Sequence, residues 1–220
     1  MRKNPILFSP ALVPVIVLAF IFLNPAAAAG QDKPLPENRY DRGLVLLLQG
    51  KVEEAKGCFD EVLEKEPENK EALYQRGVAL VRLNELDEAL SDFDRTLELD
   101  GDYALGYAGR AQVWIKRSNW TEATKEINSA LAKDSGCAEA YYQRGVVLGY
   151  QKKTDAAIEA FKKCLSLSAD HVYANYQLGL AYNQQKRKDL SIVHLDKFLA
   201  LAPQAPEADQ VRNLLNFLRR

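Results

Sequence analysis

Charge of either sign is missing from one long stretch of this chain. Between Lys3 and Asp32 there is no Asp, Glu, Lys or Arg. Over the 220 residues as a whole neither sign dominates, and the formal net charge is −1. That balance argues against bulk nucleic-acid binding, which depends on a concentrated positive surface, and leaves a local patch open. Histidine is scarce: only His171 and His194 occur, with no paired metal-ligand spacing. There is no nucleophile elbow, no phosphate-cradling glycine loop and no zinc signature. The many Asp and Glu residues fall where helix faces meet solvent. No catalytic constellation, cofactor or metal is therefore expected. Cysteine is also sparse and odd in number, with Cys58, Cys137 and Cys164, which excludes a fully paired disulfide framework. Cys137 precedes the first helix of the fourth unit and Cys164 lies near the end of its second, so antiparallel packing could bring them close. A single bridge between them and three small buried thiols are both open readings. Asn119-Trp120-Thr121 matches a glycosylation sequon, a short pattern common by chance.

The charge-free stretch has its own logic. Arg2 and Lys3 precede an apolar run, ILFSPALVPVIVLAFIFL, and the small residues Ala26–Ala29. A short basic region, an apolar region and an A-x-A-like end make a signal peptide, expected over 1–29. The alternative is an uncleaved anchor, since the run is long enough to span a bilayer. Either reading keeps Arg2 and Lys3 on the cytoplasmic side and exports the rest, to the periplasm or the medium. Residues 30–35 read as a linker, with Pro34 and nothing to bury.

From residue 36 onward the chain is periodic. Five units of 34 residues run without a gap: 36–69, 70–103, 104–137, 138–171 and 172–205. Gly43, Gly77, Ala111, Gly145 and Gly179 share one column; Ala55, Ala89, Ala123, Ala157 and Ser191 share another. Phe59, Phe93, Ile127, Phe161 and Leu195 form a large apolar column, and Leu63, Leu97, Leu131, Leu165 and Leu199 an invariant one. Glycine inside a helix costs about 1 kcal/mol relative to alanine, so four in one column mark a helix crossing too close for a Cβ. The spacing predicts helix pairs at 37–49 and 52–65, 70–83 and 86–99, 104–116 and 120–133, 138–151 and 154–167, and 172–185 and 188–201. After Pro203 and Pro206, Val211, Leu214, Leu215 and Leu218 have helical spacing. They predict a terminal helix within 206–220, which would cap the array.

The Gly…Ala-x-x-x-Phe…Pro pattern at this period resembles the tetratricopeptide repeat. The resemblance covers 36–205. It implies an all-α solenoid of five helix-turn-helix repeats with a C-terminal capping helix. It also implies a concave groove lined by the first helix of each pair. The residues expected there include Tyr40, Leu44, Tyr74, Val78, Arg82, Gln112, Tyr142, Val146, Tyr176 and Asn183. Tyr74, Tyr142 and Tyr176 are the expected anchors, and Arg82, Gln112 and Asn183 the polar selectors. The family's Lys/Asn/Arg clamp for a terminal carboxylate is absent from the matching columns. Those columns hold Tyr40, Tyr74, Ala108, Tyr142 and Tyr176, then Leu44, Val78, Gln112, Val146 and Leu180. An apolar, aromatic groove suits an extended peptide or an amphipathic helix instead.

The resemblance thus implies a non-enzymatic scaffold or adaptor for a protein or peptide partner, with no nucleic acid and no membrane unless the leader stays attached. The alternative is a self-associating structural spacer in an envelope complex. Leu44–Leu48 reads LVLLL, has no earlier repeat to cover it, and is a candidate contact with the linker, a partner or a second copy. Arg42, Arg76, Arg110 and Arg144 form a ladder that either binds anions or pairs with carboxylates such as Asp92 and Glu126. Charge is uneven: 36–69 holds five basic and nine acidic residues, 172–220 seven basic and four acidic. These give −4 and +3, a polarity that could draw the two ends together or orient a partner.

Overall fold

The computed structural model of the chain describes residues 35–220. The expected signal peptide and residues 30–34 of the linker lie outside the described residues. The array is all-α. Its helices are α1 (Arg39–Leu48), α2 (Val52–Lys65), α3 (Lys70–Leu83), α4 (Leu86–Leu99), α5 (Ala104–Lys116), α6 (Trp120–Lys133), α7 (Ala138–Tyr150), α8 (Thr154–Leu167), α9 (Val172–Gln184), α10 (Lys188–Leu201) and α11 (Ala208–Leu218). Among the described residues there is no strand.

Local chemistry sets where these helices begin and end. Asn38, Asn69 and Asn119 each turn a side-chain oxygen onto the first-turn N–H of Asp41, Ala72 and Glu122. Each satisfies a donor that the helix itself leaves unpaired. His171 does the same for α9, its Nδ1 accepting from the Ala174 N–H at 3.1 Å. Every turn inside a pair contains one residue with positive φ: Gly50, Asn84, Ser118, Lys152 and Lys186. The next N–H after each reaches back to a carbonyl five residues earlier, from Lys51 to Leu46 through Arg187 to Tyr182. This is the Schellman closure of a helix end.

Pairs form because small residues face large ones. A Cβ on Gly43 would lie 2.7 Å from the Phe59 ring, and one on Gly77 2.6 Å from Phe93. Gly145 stands against Phe161 in the same way, and Gly179 against Leu195. Ala55, Ala89, Ala123 and Ala157 are buried beside them. Each second helix then packs on the following first helix, and α3, α5 and α7 touch in succession. The result is two layers. Inner helices are buried almost all round: α3 buries Ala72 to Gln75 and Gly77 to Val81. Outer helices bury one stripe: α4 buries Ala89, Asp92, Phe93 and Thr96.

The arginine ladder lies along the seams between pairs. Arg76 clamps Asp92 with two hydrogen bonds of 2.7 and 2.8 Å and reaches Asp60 at 2.9 Å. Arg110 meets Glu126 at 2.9 Å and Asp94 at 3.3 Å. Arg144 finds Asn128 and the Tyr141 ring. Three of these arginines therefore join one repeat to the next rather than forming an anion stripe. The three cysteines are buried free thiols, so the Cys137–Cys164 bridge is not formed; burial pushes the Cys137 thiol up to about 12.

Candidate functional site

The inner helices carry a belt of buried polar groups. Glu139, at the start of α7, is fully buried. A carboxylate taken out of water needs donors around it, and three side chains supply them. Gln143 Nε2 donates at 2.6 Å, one turn along the same helix. Gln112 Nε2, on α5, lies at 3.4 Å. His171 Nε2 lies 3.2 Å from the other carboxylate oxygen. Because His171 Nδ1 is occupied in accepting from Ala174, Nε2 carries the proton and donates to Glu139. The Tyr142 ring lies beside His171 at a tilt of 32°, with centroids 4.8 Å apart. Glu139 thus ties three consecutive inner helices at one point.

Other groups on the same helices have unmet hydrogen-bonding capacity. Gln75 Oε1, Gln112 Oε1 and Tyr173 Oη are buried with no hydrogen-bond partner among the described residues. Gln75, Gln143 and Gln177 stand in one column of the repeat. That recurrence is the sequence signal that marks the belt. Glu139 shares its column with Glu37 and Glu71, a recurrence that reads as solvated helix surface, while His171 and Tyr173 carry none; all three are functional candidates that pattern reading misses.

The expected groove residues divide in two. Leu44, Tyr74, Val78, Gln112, Tyr142 and Val146 are buried, Tyr74 at 2% and Tyr142 at 1% exposure. Tyr40, Arg82, Tyr176 and Asn183 are half-buried. Tyr74 and Tyr142 therefore correct the expectation of three equal surface anchors. Each lies against the phenylalanine of its own pair, Phe93 or Phe161, at 5.8 Å, where an inner helix needs a large side chain to fill the crossing. Tyr40 and Tyr176 keep part of their rings in reach of a ligand. Burial pushes both hydroxyls up to about 12, so they stay neutral donors.

Of the expected polar selectors, Arg82 has the least local surroundings. Its Nη1 donates to the Leu47 carbonyl at 2.6 Å, in the first pair. Its guanidinium also lies 5.8 Å from the Tyr173 ring centroid, in the fifth. The two ends of the array approach one another here. Gly50, in the first turn, faces Pro206, at the start of the terminal segment. Leu48 packs on the core formed with Val211, Leu215 and Leu218. The expected apolar contact Leu44–Leu48 is covered mostly from within the chain. Leu44, Leu46 and Leu47 are buried, and Leu35 packs on the same cluster. Only Val45 and Leu48, each half-buried, are left to offer a second copy.

Family models described as tetratricopeptide repeat match residues 40–104, 138–171 and 172–204. The chain is a tetratricopeptide repeat protein. No curated protein matches its sequence. Among solved structures, this tetratricopeptide array resembles TTC0263, a thermophilic tetratricopeptide protein of Thermus thermophilus. The TM-score is 0.65 at 21% identity, covering 83% of this chain and 97% of that one. It also resembles the anaphase-promoting-complex assembly Cut9–Hcn1, with TM-score 0.64, 20% identity, and 82% and 35% of the two chains covered. A monomeric IFIT1 mutant with a capped RNA gives 0.62 and 22%, over 82% and 45% of the two chains. At these identities the likeness is one of fold.

Proposed function

We propose that this protein is a non-enzymatic scaffold that holds an extended segment of a partner protein along its inner helices. The observation that carries the reading is the set of buried, unmatched polar atoms on α3, α5 and α9: Gln75 Oε1, Gln112 Oε1 and Tyr173 Oη. Each such atom costs about 1–3 kcal/mol while unpaired. An extended backbone offers a donor and an acceptor at every residue, so a peptide that reaches these atoms as the inner helices part recovers that cost. Half-buried Tyr40, Tyr176 and Asn183 supply amphipathic contact beside them. The tetratricopeptide architecture supports a protein partner as the class of ligand. The leader-like sequence at 1–29 supports a place in the cell envelope or outside the cell.

Tyr173→Phe tests this reading with opposite signs on two measurements. It removes an unmatched hydroxyl and keeps the ring, so the melting temperature stays level or rises. Partner capture from a cell-envelope fraction weakens by about tenfold, equivalent to roughly 1.4 kcal/mol. Unchanged capture by a Tyr173→Phe, Gln112→Leu double variant that remains helical would refute the reading. Mass measurement of the exported N-terminus tests the location.

A further inference from the structure

The approach of the two ends of the array is more than the drift of a superhelix. We propose that a clasp built from Arg82, Tyr173 and the turn–cap contact of Gly50 with Pro206 holds this array in a closed form, and that the inner helices admit a partner only when it opens.

Three features, independent of the repeat pattern, converge on the closure. First, Arg82 leaves its own pair. It hydrogen-bonds the last-turn carbonyl of α1 at 2.6 Å and covers the Tyr173 ring of α9. One side chain thus bridges the first, second and fifth pairs. Guanidinium suits this role, because it donates in a fixed fork and stacks on an aromatic face at once. Second, Gly50 is held at φ 75°, and a Cβ there would lie 2.5 Å from Pro206 Cγ. Glycine thus serves both the left-handed turn and the close approach of the terminal segment. Third, the ends brought together have opposite charge, −4 over 36–69 and +3 over 172–220. That polarity favours the closed arrangement at separations within a Debye length.

The contact also explains why so much of the inner layer is covered. Tyr173 is fully buried though it lies in the first turn of the last inner helix. Leu48, on the first, packs on the C-terminal core. Closing the array sets first-pair, second-pair and fifth-pair residues against each other across what would otherwise be the open side of the groove. The existence of the clasp stands on these contacts alone. Its control of access rests on the reading that the inner helices bind the partner.

The test uses spin labels on the full chain at Lys51→Cys and Gln204→Cys, both exposed positions on either side of the closure. The native thiols are buried and do not compete for label. The parent gives a short, narrow distance distribution. Arg82→Met and Gly50→Ala each raise the long-distance population about tenfold. Pro206→Ala, placed on Gly50→Ala, restores the short distance. It removes the Cγ at 2.5 Å and Cδ at 3.1 Å from the inserted methyl and leaves Cβ at 3.9 Å. It cannot relieve strain in the turn itself, so restoration isolates the clasp from simple turn damage. A long or broad distribution in the parent overturns the proposal, as does a Gly50→Ala distribution that Pro206→Ala leaves unchanged. Partner capture is measured on Gly50→Ala, which leaves every expected groove residue in place. Opening without faster capture overturns the access role, while Tyr173→Phe, which keeps the ring over Arg82, reports separately on the binding reading.

Discussion

Gly77 and Gly50 meet the same steric problem in two regions of the molecule. Gly77 lets the Phe93 ring approach inside a helix pair, and Gly50 lets Pro206 approach across the array. The first contact has counterparts at Gly43 with Phe59 and Gly145 with Phe161, in the same column of the 34-residue repeat. The second happens once. The difference separates two kinds of specification. Contacts within and between neighbouring repeats are nearest-neighbour terms that add along a solenoid. A contact between the ends depends on the accumulated twist of all five pairs. The repeated kind therefore sets stability, and the single kind sets the shape of the inner face.

The largest effect expected comes from breaking the repeated kind. Gly145→Ala puts a methyl into the Phe161 ring. Overpacking of this sort costs about 1–3 kcal/mol, against which the helix-propensity gain of about 1 kcal/mol is a partial offset. The third pair shows a natural solution, with Ala111 facing the smaller Ile127. Adding Phe161→Ile to Gly145→Ala should recover part of the loss, as a favourable coupling in a double-mutant cycle of urea melts. Strict additivity would show that the column does not act as a size-matched pair. End-to-end distance should be little changed in either variant that still folds.

Much of the repeated kind is legible in the sequence, because alignment of five copies multiplies a weak signal. The helix windows agree with the structure to within two residues, and Asp92 and Glu126 are the carboxylates that meet Arg76 and Arg110. Burial of Tyr74 and Tyr142 was not legible. A tyrosine in a periodic column reads the same whether it faces a groove or fills a crossing, and the curvature of the whole array decides which. His171 occurs once in its column and Pro206 lies beyond the five units, so no column points to either, while Glu139 shares a column with Glu37 and Glu71 in which a carboxylate at a helix start reads as solvated surface. A further column repeats in conformation without repeating in residue type. Gly50, Asn84, Ser118, Lys152 and Lys186 all have positive φ, but only the first two are residue types that advertise a left-handed turn.

That column gives a middle-sized prediction, of opposite sign to the first. Lys186 holds φ at 60° in the turn between α9 and α10, a conformation that carries strain for a residue with a Cβ. Lys186→Gly should raise stability by about 0.5–1 kcal/mol, part of the relief being lost to the greater freedom of glycine in the unfolded chain. The check is the urea midpoint at constant slope. A lower midpoint would show that the Lys186 side chain makes compensating contacts. Because the change is local to one turn, the closure measured between Lys51→Cys and Gln204→Cys should not respond.

The smallest effect expected falls on the closure and is read through pH. Glu207 follows Pro206 and is half-buried. Burial raises its carboxyl above the ordinary value, and the field of Arg82 opposes that rise without cancelling it. Tyr173 and Tyr176 face it as neutral groups near pH 7, and Lys116 adds a cation beside Arg82 whose own pKa is lowered by burial. In the closed form Glu207 therefore binds its proton more tightly than it does when the end is released into water. Where the closed state holds more protons, raising the pH weakens it. The advantage of closure is complete below the ordinary carboxylate pKa and is lost as pH rises through the raised one. Acidification from pH 7 toward 5 should thus enlarge the short-distance population. Glu207→Gln, neutral throughout, should flatten the profile at a level no more open than the parent at pH 7. A parent profile that opens on acidification would mean that the attraction of Arg82 outweighs desolvation, and Glu207 would then belong to the clasp as a charged latch.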